Sequence, residues 1–542
     1  MLINLYIILI NNIMNTQHIV DIVNKISLNL NIEKNKSRQS PIDSLKVLKD
    51  LLSKKSRILT YLEESKINLE HDPEFKYLYD TITGKDYIRQ LMLGNNHYDN
   101  PFLHIHFILG NPYLFNLEIF DVLYSQKEQM RMIPKLMKRC WIYILKSDLR
   151  NFFNETLIDK WLKTSEFKML TKEDVLKIEG NTELTYHKYV EMYRIFDAMN
   201  CKVRKFIFRL KDEIKTQQNP GSINLKNKEY LSFIRTYTGL ELDYTKINIL
   251  ITWAKRELER LKTDMKNILI KIRPDLANKE FVDIIKALQD DPKYKYKTKE
   301  DFVNHHKDIM EKMHQFFIGQ MKIKEFVKPT LTVLNDPNLG GAYWAYDTFY
   351  LNVTNWDKIN DYQALPLTLH EAVPGHHTQV SYATHSETDG YDVLYSWFGT
   401  TSGFHEGWAL FTEKLSPSYT DMERIGQLQY EMLRTIRVLV DIGIHAGGVA
   451  PNNIVNFMLT YLAMPRPSIE SEVYRYVVLP GQALGYKLGA TIIKKIHEKY
   501  VGDADLLSEK SIELYKKIIY DKAKPLDILM KNYNITFEEV FV

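Results

Sequence analysis

Between positions 247 and 272 the apolar residues Ile247, Leu250, Ile251, Ala254, Leu258, Leu261, Met265, Ile268, Leu269 and Ile272 recur at steps of three and four. That spacing puts them on one face of an α-helix and predicts a long amphipathic helix, which Pro274 terminates. Leu45, Leu48 and Leu52 share a face in the same way, after a polar stretch over 31–43 that carries Pro41 and reads as a linker or surface excursion. Thr298-x-x-Asp301 is a capping signal ahead of a helix bearing His305 and His306. Adjacent residues point in different directions on a helix, and a surface position is expected for this pair. Strand signals are sparse. The best is AYWAYDTFYLNV over 342–353, rich in aromatics and followed by the turn-prone TNWD. There is no internal repeat and no low-complexity tract. The pattern predicts a mainly α fold with a small β-sheet next to the helix that follows it. A leader and linker would occupy 1–43, a helical region 44–330 and a further region 331–542, with the last two free to form one intertwined domain.

Composition narrows the classes. A chain of 542 residues allows one large domain or two to four ordinary ones. Hydrophobic content of 45% and charged content of 26% are ordinary for a soluble globular protein. A net charge of +4 with no basic stripe interleaved with aromatics argues against a nucleic-acid partner. Cys140 and Cys201 stand far apart without a CxxC, which excludes a disulfide framework or a cysteine zinc knuckle and suits a reducing compartment. The opening MLINLYIILINNIMNTQ is interrupted by Asn4 and Asn11 and is too short to span a bilayer. No basic residue precedes its apolar run, no small-x-small site follows, and Met14 is an alternative start. A soluble, cytoplasmic protein without stable membrane insertion is expected; nothing in the sequence sets an oligomeric state.

The candidate chemistry centres on LTLHEAVPGHHTQ, residues 367–379. A catalytic zinc takes three protein ligands and keeps an open position. Two ligands from one helix must stand about one turn, roughly 5.4 Å, apart. On an unbroken helix His376 would lie about 600° round from His370, on the wrong side, and His377 roughly 10 Å along. Pro374 supplies the break, because it lacks the N–H that would bond the His370 carbonyl, and Gly375 tolerates the bulge. Removing both residues leaves HEAVH, with His376 as second ligand in preference to His377 and Glu371 placed as a general base. The stretch SGFHEGWALFTEK offers His405 and Glu406. A glutamate amid Gly407, Trp408, Ala409 and Leu410 is costly to bury unless it meets a cation, whereas Glu413, two turns on, suits a supporting role. The plain alternative for HEAVPGHH alone is a histidine-rich surface turn. RTIRVLVDIGIHAGG sets Arg437, Asp441 and His445 on one helix face, as either an internal salt bridge before a capped end at Gly447 or the wall of a site. In SEVYRYVVLPGQALGYKLG, with Arg475 and Tyr476, a Pro480-Gly481 turn precedes a helix bearing Tyr486 and Lys487.

HEAVPGHHTQ, EGWALFTEK, RTIRVLVDIGIH and PGQALGYKLG resemble the signature blocks of the domain-of-unknown-function 885 family, in the same order, over residues 335–490. That family is similar to the gluzincin metallopeptidases, with a helical fold like that of thimet oligopeptidases and angiotensin-converting enzyme. The resemblance implies a large helical, zincin-like metallopeptidase fold and a HExxPGH motif. It implies one Zn2+ held by His370, His376 and Glu406, with Glu371 as base and Arg437, Asp441, His445, Tyr486 and Lys487 lining the site. The chain departs from the family in HAGGVA, where a tryptophan often follows the glycine, and in ALF for ALY. Neither departure touches a proposed ligand.

The expected function is a zinc-dependent hydrolase, a peptidase of carboxypeptidase or oligopeptidase type acting on a peptide or small-molecule amide. Zinc would lower the pKa of its water towards about 7. Glu371 would carry the proton to the leaving amine, and Tyr486, or failing it His445, would donate to the oxyanion. Lys487 or Arg475 would hold a substrate carboxylate, Arg437 would line the pocket, and the strand from Tyr343 to Tyr350 would pair with extended peptide. The rivals are a metal-dependent hydrolase of a non-peptide amide or ester and a catalytically inactive helical interaction protein.

Overall fold

The computed structural model describes residues 227–542 apart from 277, 322–327, 336–340, 346–347, 384–400, 450, 463 and 521–522, together with scattered helical positions between 172 and 208. The leader, the linker, the leucine face at 45–52 and Cys140 lie outside the described residues; Cys201 is exposed. Contacts divide the chain into two compact units, 1–220 with 388–398 and 221–387 with 399–542. All that follows belongs to the second unit, inside which the division expected at 330 falls.

Helix α1 spans Asn227–Thr238. The long apolar repeat forms α2, Tyr244–Ile272, which buries Ile247, Leu250, Ala254, Leu258, Leu261, Met265 and Leu269, with Trp253 added. The Asp243 side chain caps it by accepting the Lys246 N–H, and Arg273 closes it ahead of Pro274. Helix α3 is Phe281–Asp290 and α4 is Lys299–Met321. The capping signal before α4 is reciprocal: Thr298 Oγ1 accepts from the Asp301 N–H at 3.0 Å and Asp301 Oδ2 from the Thr298 N–H at 3.1 Å. The surface expectation for the histidine pair is corrected at His306, which is buried. It sits one turn after Phe302 on the apolar face of α4, its Nδ1–H donates to the Phe302 carbonyl, and burial lowers its pKa to about 4. His305 is half-buried and bonds Tyr296.

The strand-like run is a hairpin, β2 (Ala342–Ala345) and β3 (Thr348–Asn352), and β3 also pairs in parallel with β1, Thr330–Leu334. The sheet order β1-β3-β2 makes β3 central and β2 an edge. Phe349 and Leu351 alternate inward from β3 and pack with Phe302, Met310, Val353 and Ala372. That core ties α4 and the sheet to the start of the histidine region, so the segments before and after 330 share one interior.

The remaining helices are α5 (Ala364–Glu371), α6 (His376–Ala383), α7 (Ser402–Thr412), α8 (Asp421–His445), α9 (Pro451–Leu459), α10 (Arg466–Val478), α11 (Leu484–Tyr500), α12 (Glu509–Tyr520), α13 (Leu526–Asn532) and α14 (Phe537–Phe541). Among the described residues the second unit is therefore mainly helical with one small sheet. Helix α8 begins at a capping box, Thr420 with Glu423, and packs along α2. It is buried on nearly every side, so its polar residues must find partners inside the protein. Helices α7 and α11 cross with their backbones in contact. A Cβ on Gly407 would lie 2.5 Å from the Gly489 Cα, and one on Gly489 would lie 2.1 Å from the Gly403 carbonyl oxygen. Among the described residues no helix is long and apolar enough to cross a membrane.

Candidate metal centre

The break between α5 and α6 assembles the centre. Ala372 makes the last α5 hydrogen bond, to the Thr368 carbonyl, and then leaves helical geometry. The chain folds back so tightly that a Cβ on Gly375 would stand 1.9 Å from the His370 carbonyl oxygen, a position only glycine fits. The carbonyl of Pro374, left without a helical partner, accepts the Trp408 indole N–H at 3.0 Å. Helix α6 restarts with the Gln379 N–H on the Gly375 carbonyl. His370 and His376 end with ring centroids 5.0 Å apart and planes at 89°.

Helix α7 brings Glu406 to the same point. Glu406 Oε2 lies 3.4 Å from His376 Nε2 and 3.6 Å from His370 Nε2. The donor atoms of these three residues all fall within 4.8 Å of one another. Two ligands at about 2.0–2.1 Å from a tetrahedral zinc stand roughly 3.3 Å apart. The observed spacings match that geometry and exceed the ordinary N–H···O range of about 2.7–3.2 Å. The donor set fits a shared cation better than a mutual hydrogen bond. His370 is held in place from behind: Nδ1 bonds the buried Glu413 at 2.8 Å, which leaves Nε2 facing the cluster. His377 turns away, with Nε2 3.4 Å from Ser381 Oγ and its ring edge-on to Trp344. His405 bonds Gln379. Glu406 is less enclosed than its apolar frame predicts. Phe404, Trp408 and Leu410 are buried, yet the Glu406 side chain keeps 21% of its surface exposed, because position 406 faces the histidine cleft.

The electrostatics favour positive charge at this point. Burial would lower the His370 pKa, but Glu406, Glu413 and Glu371 outweigh it and raise it to about 9. Burial alone would likewise raise Glu406, yet His370 and His376 hold its carboxyl well below the usual range. Glu371, beside His370, is itself buried; desolvation lifts its pKa against the pull of both histidines and Arg434. A carboxyl lifted in this way suits proton transfer.

Of the other expected residues, Tyr486 stands against the cluster, its ring nearly parallel to His370 with centroids 6.4 Å apart. Three guanidinium groups surround that ring: Arg437 at 4.6 Å, Arg475 at 5.8 Å and Arg434 at 5.9 Å from its centroid. Arg475 Nη1 donates to the Tyr486 oxygen at 3.4 Å. Lys487 does not join them. Its Nζ is buried between Glu431 at 2.6 Å and Glu257 at 2.8 Å, so the expectation that it binds substrate is corrected. His445 is also corrected as an oxyanion donor. Its Nε2–H donates to the Tyr476 carbonyl at 2.9 Å and its ring lies 5.4 Å from Tyr230, which makes it a brace for α10. Asp441 accepts from Tyr230 and from the Gly481 N–H, fixing the turn before α11. Tyr343, on edge strand β2, is 38% exposed and stacks on Tyr350. Arg434, the first residue of RTIRVLVDIGIHAGG, is not among the residues the sequence singled out. The available signal was its place three residues before Arg437, one turn earlier on the same face of a mostly apolar helix.

Fold and site together define a mainly helical protein with a small sheet and a candidate centre of two histidines and a glutamate. The family described as bacterial protein of unknown function, DUF885, matches residues 171–507, and the chain belongs to it. The chain is similar in fold to a candidate lipoprotein of unknown function from Shewanella oneidensis, at a TM-score of 0.60 and 16% identity over 91% of this chain and 92% of that one. It is also similar to a candidate lipoprotein from Colwellia psychrerythraea, at a TM-score of 0.56 and 17% identity over 82% of this chain and 78% of the other. No curated protein matches the chain.

Proposed function

We propose that this protein is a zinc-dependent hydrolase with a zincin-like, gluzincin-type site, built on HExxPGH and acting on peptide bonds. The observation that carries the reading is the set of three donors with two spacings of 3.4 and 3.6 Å, formed across a helix break, with a buried glutamate next to the first donor. His370, His376 and Glu406 would hold the ion. Zinc bound there supplies a Lewis acid that polarises the amide carbonyl and makes water more acidic.

Glu371 takes a proton from the attacking water as its oxygen bonds to the carbonyl carbon. It returns that proton to the amine nitrogen as the C–N bond breaks. Tyr486 would donate its hydroxyl hydrogen to the oxyanion, a reading supported by Arg475, which donates to the phenol oxygen and so leaves the hydroxyl hydrogen to another acceptor. Glu413 orients the His370 ring. Peptides are favoured over other amides and esters because β2 offers a sheet edge to an extended chain, with Tyr343 exposed along it.

The test is zinc analysis of protein purified without a histidine tag, combined with turnover of a peptide panel beside small amides and esters. One zinc per chain and peptide cleavage that stops on chelation and returns with zinc are expected. Protein without zinc and without zinc-dependent cleavage of any of these substrates would overturn the reading.

A further inference from the structure

Arg434 has no adequate counter-charge. Its side chain is 8% exposed, and Nε and Nη1 are buried with no hydrogen-bond partner among the described residues. Its nearest carboxylate, Glu413, is 3.6 Å from Nη2, beyond hydrogen-bonding range, and already accepts from His370. A guanidinium this enclosed is costly unless its donors are met.

Glu472 receives Arg437 at 2.8 Å, Arg475 at 3.2 Å and the Tyr476 hydroxyl at 2.7 Å. Arg437 and Arg475 are thus both bonded directly to Glu472, whereas no carboxylate among the described residues is within hydrogen-bonding distance of Arg434. Arg434 lies 4.9 Å from the Tyr430 ring and 5.9 Å from the Tyr486 ring, and its charge opposes the burial that raises the Glu371 carboxyl. The planar fork of a guanidinium matches a carboxylate through two parallel hydrogen bonds. Lys487 is neutralised elsewhere, and Arg475 is held by Glu472 and Tyr486.

We propose that Arg434 anchors the free carboxylate of the residue released by hydrolysis, so that the substrates are peptides or N-acyl amino acids cleaved at their last bond. The inference rests on the hydrolase reading and narrows it to carboxypeptidase action.

The test is calorimetric binding of 3-mercaptopropanoyl-phenylalanine and of its C-terminal amide to the zinc-loaded protein. The thiolate of either compound takes the ion, and only the acid offers a carboxylate. Wild type should bind the acid at least about 10-fold more tightly than the amide. Arg434→Met should bind both at the amide level, and Arg434→Lys should restore part of the difference. Equal affinity of wild type for acid and amide would overturn the anchor and leave the hydrolase reading standing. So would an acid preference that survives Arg434→Met in protein of unchanged zinc content. A protein that takes up no zinc and binds neither compound would overturn both.

Discussion

At the residue scale the proposed function divides the centre into groups that would hold a cation and a group that would use it. His370, His376 and Glu406 converge, while Glu371 is buried beside them with a raised pKa and lies outside the three-donor set. Glu371→Gln should therefore keep zinc content and melting temperature while lowering peptide turnover by roughly 10²-fold or more. Near wild-type turnover would remove it from the chemistry. His376→Ala should weaken zinc binding far more than His377→Ala, because His377 faces Ser381 and Trp344. Competitive zinc titration of the two variants decides this, and a greater loss at 377 would reverse the assignment. The convergence of His376 with His370 was legible in sequence because the Pro374-Gly375 bulge is a local matter of turn and rise. The placements of Tyr486 and Lys487 were not. They are neighbours in α11, roughly 100° apart round the helix, so one meets His370 and the other Glu431. Which side each takes depends on the helices packed there, which short motifs do not encode.

At the element scale the site depends on two backbones touching. Glu406 rides on α7 and Tyr486 on α11, and Gly407, Gly485 and Gly489 let those helices approach until a Cβ at 407 or 489 would overlap main-chain atoms. Gly407→Ala and Gly489→Ala should each destabilise the protein by about 1–3 kcal/mol, read as a lowered denaturant midpoint at unchanged m-value. Stability unchanged in both variants would mean that the crossing is looser than described. The glycines stood inside the quoted blocks EGWALFTEK and PGQALGYKLG, yet their pairing needs a third dimension. Helix α2 was legible because many residues repeat one period. Strand β1 was missed because its alternation, TLTV, lasts only four residues, and its parallel partner lies beyond β2 in sequence.

At the scale of the whole molecule, one ion would link segments far apart in the chain, α5 and α6 with α7, inside a unit that also depends on the sheet core behind Ala372. Chelation should then lower the melting temperature, since an ion bound only to the folded state adds stability by mass action. Glu406→Gln should bind zinc more weakly and shift less with chelator; a mutant indistinguishable from wild type in both titration and melt would place Glu406 outside the centre. The central claim, that these three side chains hold one zinc, is tested most directly by anomalous diffraction at the zinc edge from crystals of the zinc-loaded protein. A single peak is expected about 2.0–2.1 Å from His370 Nε2, His376 Nε2 and a Glu406 carboxylate oxygen. No peak at that position, or a peak bound through His377 with His376 turned away, would contradict it.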